Sequence, residues 1–339
     1  MHNFFVDNLS FNVNSEIDDN FWIQSHPSPY DVTFDKMPKI NRNDFLIIDK
    51  NISDIYGITS SNMFLIDPTE DIKTPYKSLE ICDFLLNRKF SKSDILHVIG
   101  GGVIQDLCAF TAKIYKRGID WVYYPTTMLS QCDSCIGGKT ALNYGDFKNQ
   151  IALFSSPKKV VIDTNFLQSL PEKELYSGFG EVIKLFITGG DFFVDNFENF
   201  SLKDKIKSSL IIKKSIIEVD EFEQNIRKVL NYGHTFGHII ESMTNYEILH
   251  GEAVLLGIYI INRLFDNNQK IDKIVKKNVD IDKIVNLNPL EIYNRIVSDK
   301  KVFNNKIYFV NSPKPGISLF LPTDIDEKLE ERVIEIFTY

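Results

Sequence analysis

The sequence has 339 residues, with 38 Lys and Arg against 46 Asp and Glu, a net charge of −8 and a pI near 5.4. That balance excludes a general electrostatic binder of nucleic acid, and the cations that hold any anionic ligand must be gathered locally. A composition 43% hydrophobic and 25% charged suits a globular chain long enough for two cores, and no apolar run approaches the roughly 18 residues of a membrane span.

The first residues, MHNFFVDNLS, have neither a basic segment nor a long apolar core, so no signal peptide is expected. Cysteines are few (Cys82, Cys108, Cys132, Cys135), and Cys132 and Cys135 form one isolated pair, which reads as structural in a reduced, cytoplasmic protein. Residues 1–43 read as irregular, with short strands around FFVDNLSFNV and YDVTF. The stretch Asp44 to Ile52 reads as a buried strand ending in Asp49, and Asn62 to Asp67 as another. A helix follows, with Leu79, Cys82, Leu85 and Leu86 at helical spacing. ILHVIGGGVIQDLCAFTAKIYKRG is a strand, a glycine turn and an apolar helix; WVYYPTT and Lys158 to Thr164 are further strands. This alternation predicts an α/β fold, with a parallel-sheet nucleotide-binding domain over residues 1–170. Beyond Pro171 the pattern is mainly helical, over 172–189, 191–198, 203–245, 251–266 and shorter pieces to about 298. Only IYFVNSPKPGISLFL looks extended there, and residues 171–339 form the expected second domain.

Four stretches could carry chemistry. Gly100 to Asp106 lies between a strand and a helix, where backbone N–H groups and the helix dipole suit a pyrophosphate; with Gln105 for the third glycine, a plain tight turn is the other reading. Pro125 to Asn149 follows a strand and holds Asp133, Lys139, Asn143, Lys148 and Asn149, which suits an oxyanion-rich ligand or a solvated loop. Glu181 and Lys184 stand at i, i+3 on an otherwise apolar helix, so they face a site or a cleft rather than open water. Finally, His234, His238 and Glu241 share one helical face, extended backwards by Asn231 and Arg227, and His250 follows a short break. Neighbouring histidines with Glu181 could hold Zn²⁺; the same spacing also suits core histidines.

Taken together, GGGVIQDLCAF, YKRG, PTTMLSQCDSCIGGKTALN, KN, GEVIK, RKVLNYGHTFGH, LHGEAV and DKK resemble segments of the sugar-phosphate cyclases, most closely the dehydroquinate synthases, in the same order over about residues 44–310. The resemblance implies an N-terminal NAD-binding domain, a helical metal- and substrate-binding domain, and a homodimer. It implies NAD⁺ and a divalent metal, Zn²⁺ or Co²⁺, held by Glu181, His234 and His250, with His238 beside it rather than on it. Asp49, Glu70, Lys73, Gly101, Gly102, Val103, Asp106, Thr126, Thr127, Lys139, Lys148, Phe166, Leu167 and Ser169 would surround NAD⁺. Asp133, Lys139, Lys184, Glu223 and His238 would act in catalysis; Arg117, Asn143, Asn149, Lys213, Arg227, Asn231 and Lys301 would bind substrate. The implied reaction oxidises a ring alcohol of a sugar phosphate, eliminates phosphate, returns the hydride and closes a carbocycle, with no net redox change.

The chain departs from the family pattern at Gln105, at Tyr144 to Phe147, where an Asn-His-Pro segment and a glycine are usual, and before Glu70, where a glycine is missing. Such departures are similar to those of cyclases with other products, for example from sedoheptulose 7-phosphate. Arg227, Asn231, His238 and the Asp299-Lys300-Lys301 run favour a substrate bearing a carboxylate, 3-deoxy-D-arabino-heptulosonate 7-phosphate, over that alternative. A metal-dependent NAD polyol or alcohol dehydrogenase, the remaining alternative, would need no such cluster of cations.

Overall fold

The computed structural model describes residues 1–338 other than 17, 146, 266, 267, 299–301 and 303, so the expected substrate residue Lys301 lies outside the described residues. The chain opens with a hairpin of β1 (His2–Val6) and β2 (Leu9–Val13), in which Phe4, Val6, Phe11 and Val13 are buried at the period of two that a half-buried strand requires. Its other partner comes from the far end of the sequence, as described below.

Residues 18–175 form one compact unit. Its strands are β3 (Asn20–Ile23), β4 (Tyr30–Phe34), β5 (Phe45–Asp49), β6 (Asn62–Ile66), β7 (Leu96–Gly100), β8 (Trp121–Pro125), β9 (Lys139–Tyr144), β10 (Phe147–Phe154) and β11 (Lys159–Ile162). Seven of them make a sheet in the order β3-β4-β11-β8-β7-β5-β6, parallel except for the edge strand β3. Its central strands are buried almost throughout because helices cover it, among them α1 (Lys50–Tyr56), α2 (Pro75–Asn87) and α3 (Gly102–Ile114). Asp49 starts α1 by accepting a hydrogen bond from Asn51 N at 2.8 Å, and Gly57 ends it in the left-handed region. Where the sequence reads as a polar loop after β8, a π-helical turn (Ser130–Ser134) and the β9–β10 hairpin stand instead.

The second unit joins residues 1–17 to residues 176–339. Its helices are α4 (Glu172–Gly189, begun just before the division), α5 (Asp191–Asp195), α6 (Leu202–Ile217), α7 (His234–Met243), α8 (His250–Leu264), α9 (Gln269–Asn278), α10 (Pro289–Val297) and α11 (Glu327–Thr338). A four-stranded sheet, β12-β13-β1-β2, completes it, with β12 (Lys306–Lys314) antiparallel and β1 parallel to β13 (Ile317–Asp324). The expected assignment of residues 1–17 to the nucleotide-binding domain therefore changes: Phe5 pairs with Ile317, so the chain's start is built into the sheet of the second unit. The expected continuous helix over 203–245 is also broken. Residues Ile226–Asn231 form a 3-10 turn, and Gly233, at φ 78°, turns the chain before α7 begins at His234. Arg227 and Asn231 consequently do not extend the helical stripe of His234 and His238.

Three close approaches of backbone fix this unit. Gly251 of α8 lies against the carbonyl of Ser177 in α4, and its N–H donates to Ser177 Oγ at 3.1 Å. A Cβ at Gly251 would overlap that carbonyl, and one at Gly180 would overlap the carbonyl of Gly251. Between α7 and α8, a Cβ at Gly257 would overlap the carbonyl of Gly233. Only glycine allows such contacts. Gly251→Ala is expected to lower unfolding stability by about 3 kcal/mol or more, as overpacking against backbone does. Gly57→Ala, which meets open space but keeps a positive φ, should cost about 1 kcal/mol; denaturant unfolding of both variants checks the contrast.

Candidate active site

In the first unit the sheet order gathers the expected cofactor residues. Asp49 ends β5, the Gly101–Val103 turn follows β7, Thr126 and Thr127 follow β8, and Phe166, Leu167 and Ser169 follow β11. These are neighbouring strands of one parallel sheet, and the carboxyl ends of such strands are where ligands bind. Tyr56 steadies the last of these turns: its hydroxyl meets Ser169 Oγ and Asn165 O, each at 3.0 Å.

The glycine turn has the properties of a phosphate cradle. No side chain caps the N-terminus of α3, so its first N–H groups are left to a ligand. A Cβ at Gly100 or Gly101 would press on Ile104 or Thr127, whereas one at Gly102 would meet nothing within 4 Å. Gly102 is therefore not required by the protein's own packing; the open space beside it is room for a pyrophosphate, and the residues present fit NAD⁺. Gln105, in place of the third glycine, is buried and exchanges two hydrogen bonds of 2.7 Å with Ser134, tying α3 to the π-helical turn. Nearby, Lys73 binds Asp106 at 3.2 Å and Glu70 at 3.1 Å; burial raises the Asp106 carboxyl above its ordinary value although Lys73 pulls it down.

In the second unit three donors converge. Glu181 Oε1 stands 3.4 Å from His234 Nε2 and 3.3 Å from His250 Nε2. A tetrahedral Zn²⁺ with bonds of about 2.0–2.1 Å sets its ligand atoms roughly 3.3–3.4 Å apart, which both separations match, and the three ligand atoms lie within 4.8 Å of one another. Both other imidazole nitrogens are anchored: His234 Nδ1 lies 3.2 Å from the Tyr232 carbonyl and His250 Nδ1 3.2 Å from Glu241. Donation to those acceptors leaves each Nε2 lone pair to a metal. Glu181 is fully buried, and neither of its oxygens accepts a well-formed hydrogen bond, although the Lys184 ammonium is beside it. Burial pushes its carboxyl up, but Lys184, His234 and His250 together hold it well below the usual range. Burial also keeps the His234 imidazole neutral, with its pKa well below the ordinary value. At His250 burial acts the same way, but Glu181 and Glu241, one on each nitrogen, raise it to about 10. A divalent cation held between these groups would replace that proton. The residues fit a divalent metal.

Adjacency alone points to His234 and His238 as the paired ligands, with Glu241 on the same helical face. The structure gives Glu241 the task of orienting His250 and leaves His238 exposed, with its ring 5.4 Å from that of His234 and 6.0 Å from that of His250. Asn231 Nδ2 donates to Glu223 Oε1 at 3.1 Å, which joins two expected site residues. Arg227 is buried and fixed by Asp220, which accepts from its N–H at 3.1 Å, and by the Glu221 carbonyl. Lys213 is buried on α6 along with Lys207, which is not among the expected site residues. The signal was present for Lys213: with Ile206, Leu210 and Ile217 it shares one apolar stripe. Asp133 is half-buried on the π-helical turn, and Lys139 and Lys148 are exposed on the hairpin. Arg117 stands apart, exposed after the C-terminus of α3, roughly 18 Å of helix from the glycine turn.

Comparison with known proteins decides the family. The model for the 3-dehydroquinate synthase N-terminal domain matches residues 63–177, and that for its C-terminal domain matches residues 178–302. The chain belongs to the 3-dehydroquinate synthase family. It is 40% identical over 285 residues to the 3-dehydroquinate synthase of a Nitratiruptor species, covering 77% of this chain and 79% of that one. It is 34% identical over 347 residues to that of a Sulfurovum species, covering 91% and 95%. Among solved structures, 2-deoxy-scyllo-inosose synthase complexed with carbaglucose-6-phosphate, NAD⁺ and Co²⁺ shares the fold at a TM-score of 0.80 and 19% identity, covering 93% of this chain and 99% of that one. So does 2-epi-5-epi-valiolone synthase from Streptomyces hygroscopicus subsp. jinggangensis 5008 with NAD⁺ and Zn²⁺, at 0.74 and 19%, covering 91% and 96%.

The open space at Gly102 gives a test of the cofactor site. Gly102→Ala should leave thermal stability within about 0.5 kcal/mol of the parent, since the Cβ is unopposed. It should weaken NAD⁺ binding by about tenfold or more, about 1.4 kcal/mol, measured by calorimetric titration.

Proposed function

We propose that the chain is a lyase that converts 3-deoxy-D-arabino-heptulosonate 7-phosphate to 3-dehydroquinate, using NAD⁺ and a divalent metal. The observation that carries this reading is the triangle of Glu181, His234 and His250, whose spacing and anchored imidazoles suit a metal, in a chain of this family. When bound, the metal supplies Lewis acidity to a ring alcohol and NAD⁺ a reversible hydride acceptor.

The chain's own residues supply the rest. The second unit buries Lys184, Lys207, Lys213 and Arg227. Lys184, Lys213 and Arg227 are the groups proposed to hold the carboxylate and phosphate of the substrate, a local concentration of positive charge in an acidic protein. Arg227, held by Asp220 and the Glu221 carbonyl, is preorganised, which lowers the entropy lost on binding. His238, exposed beside the metal ligands, can exchange protons with substrate oxygens. Glu223 and Asn231 act as a hydrogen-bonded pair. Asp49, Glu70, Asp106 and the strand-end loops of the first unit hold NAD⁺, and the working form is a homodimer in the cytoplasm.

The test is a steady-state assay of the purified enzyme with NAD⁺ and Zn²⁺ or Co²⁺. Phosphate and 3-dehydroquinate should appear in equal amounts with no accumulation of NADH. Turnover of sedoheptulose 7-phosphate alone would transfer the chain to another cyclase, and net NADH from simple alcohols would make it a dehydrogenase.

A further inference from the structure

The β9–β10 hairpin contains a distortion with a defined set of supports. Regular antiparallel pairing from Phe147 opposite Tyr144 would put Asn149 opposite Leu142, but Ile151 takes that place. Lys148, Asn149 and Gln150 therefore face the single residue Asn143, and Asn149 adopts φ 55°. A bulge of this kind leaves ladder groups unpaired and re-aims side chains, and it persists only where its surroundings hold it.

Asn143, itself buried, does the holding. Its Oδ1 accepts from Asn149 N at 2.9 Å, replacing the missing ladder partner, and its Nδ2 donates to the carbonyl and to Oε1 of Glu70, both at 3.0 Å. Its backbone N–H donates to the Lys73 carbonyl at 2.7 Å. Lys73 closes the network: its ammonium reaches Asn149 Oδ1 at 2.9 Å, Glu70 Oε1 at 3.1 Å and Asp106 Oδ2 at 3.2 Å. An ammonium has three protons, and three acceptors surround this one. Asn143 is engaged in the same way. Asn149 differs: its Oδ1 and N–H are engaged, and among the described residues none accepts from its Nδ2.

We propose that Asn143 is a positioning residue, not a ligand contact, and that with Lys73 it holds the 148–150 bulge so that Asn149 presents its Nδ2 hydrogens to an oxygen of the sugar phosphate. The inference rests on the proposed function for its ligand, while the bulge stands independently of it. It revises the sequence-based role of Asn143 as a substrate contact. It also makes one buried hub of the carboxylates beside the nucleotide turn and the amide that meets substrate, so the two ligands' contacts are set together.

The experiment compares Asn143→Leu, Lys73→Met, Asn149→Ala and the Asn143→Leu/Asn149→Ala double variant as holoenzymes with NAD⁺ and Zn²⁺. Asn143→Leu should raise KM for 3-deoxy-D-arabino-heptulosonate 7-phosphate about tenfold while kcat changes by less than about threefold. The double variant should match Asn149→Ala, because Asn143 acts through Asn149. An unchanged KM in Asn143→Leu, or losses that multiply in the double variant, would overturn the proposal. Hydrogen exchange gives a readout independent of substrate: the Asn149 amide should exchange about tenfold faster or more in Asn143→Leu, with residues 151–154 still protected. Unaltered protection overturns the proposal whatever the enzyme turns over; failure of the parent to use the sugar phosphate counts against the proposed function instead. If Asn143→Leu does not fold, Lys73→Met faces the same comparisons.

Discussion

The contact between Gly251 and the carbonyl of Ser177 sets the distance on which the proposed metal triangle depends. Glu181 follows Gly180 on α4 and His250 precedes Gly251 on α8, so the two ligands flank the point where their helices approach most closely. A side chain at either glycine would push the helices apart and open the 3.3 Å separation of Glu181 and His250. Gly233 and Gly257 do the same between α7 and α8, where His234 begins its helix. The ligands are thus carried on backbone held to backbone, which is how a site keeps its geometry to within a fraction of an ångström.

Electrostatics follow from this packing. A carboxylate buried as fully as Glu181 is tolerated only among positive charge. Lys184 supplies part of that charge, and the proposed divalent cation would supply the rest. The anchors on the far side of each imidazole, the Tyr232 carbonyl and Glu241, fix the tautomer that leaves those atoms unprotonated when the cation is bound. In the first unit the backbone itself plays the corresponding part. Parallel strands deliver their carboxyl ends side by side, and an uncapped helix offers N–H groups to phosphate without adding net charge.

Much of this was legible in the sequence. The strand and helix alternation of residues 44–164 follows from apolar runs punctuated by glycine, and the family motifs carried the choice of His250 over His238 as the partner of Glu181. Spacing alone pointed the other way, because His234 and His238 do share a helical face; which histidine meets Glu181 is decided by tertiary packing. The pairing of β1 with β13 was invisible for a similar reason, since strand patterns mark a half-buried strand but not its partner. The break at Gly233 was missed because the residues around it keep helical periodicity, while the positive φ there answers to the close approach of α8. The bulge at 148–150 has no sequence signal, because it rests on Asn143 and Lys73 from two separate segments.

The central claim is that Glu181, His234 and His250 are the metal's protein ligands. Titration with Co²⁺, followed by the visible d–d absorption, tests it most directly, comparing the parent with His238→Ala and His234→Ala. The account predicts one Co²⁺ per chain with the intense bands of a four- or five-coordinate ion, retained in His238→Ala and abolished in His234→Ala. Retention in His234→Ala with loss in His238→Ala would contradict it and move the metal to the neighbouring group of His238, Glu241 and His250.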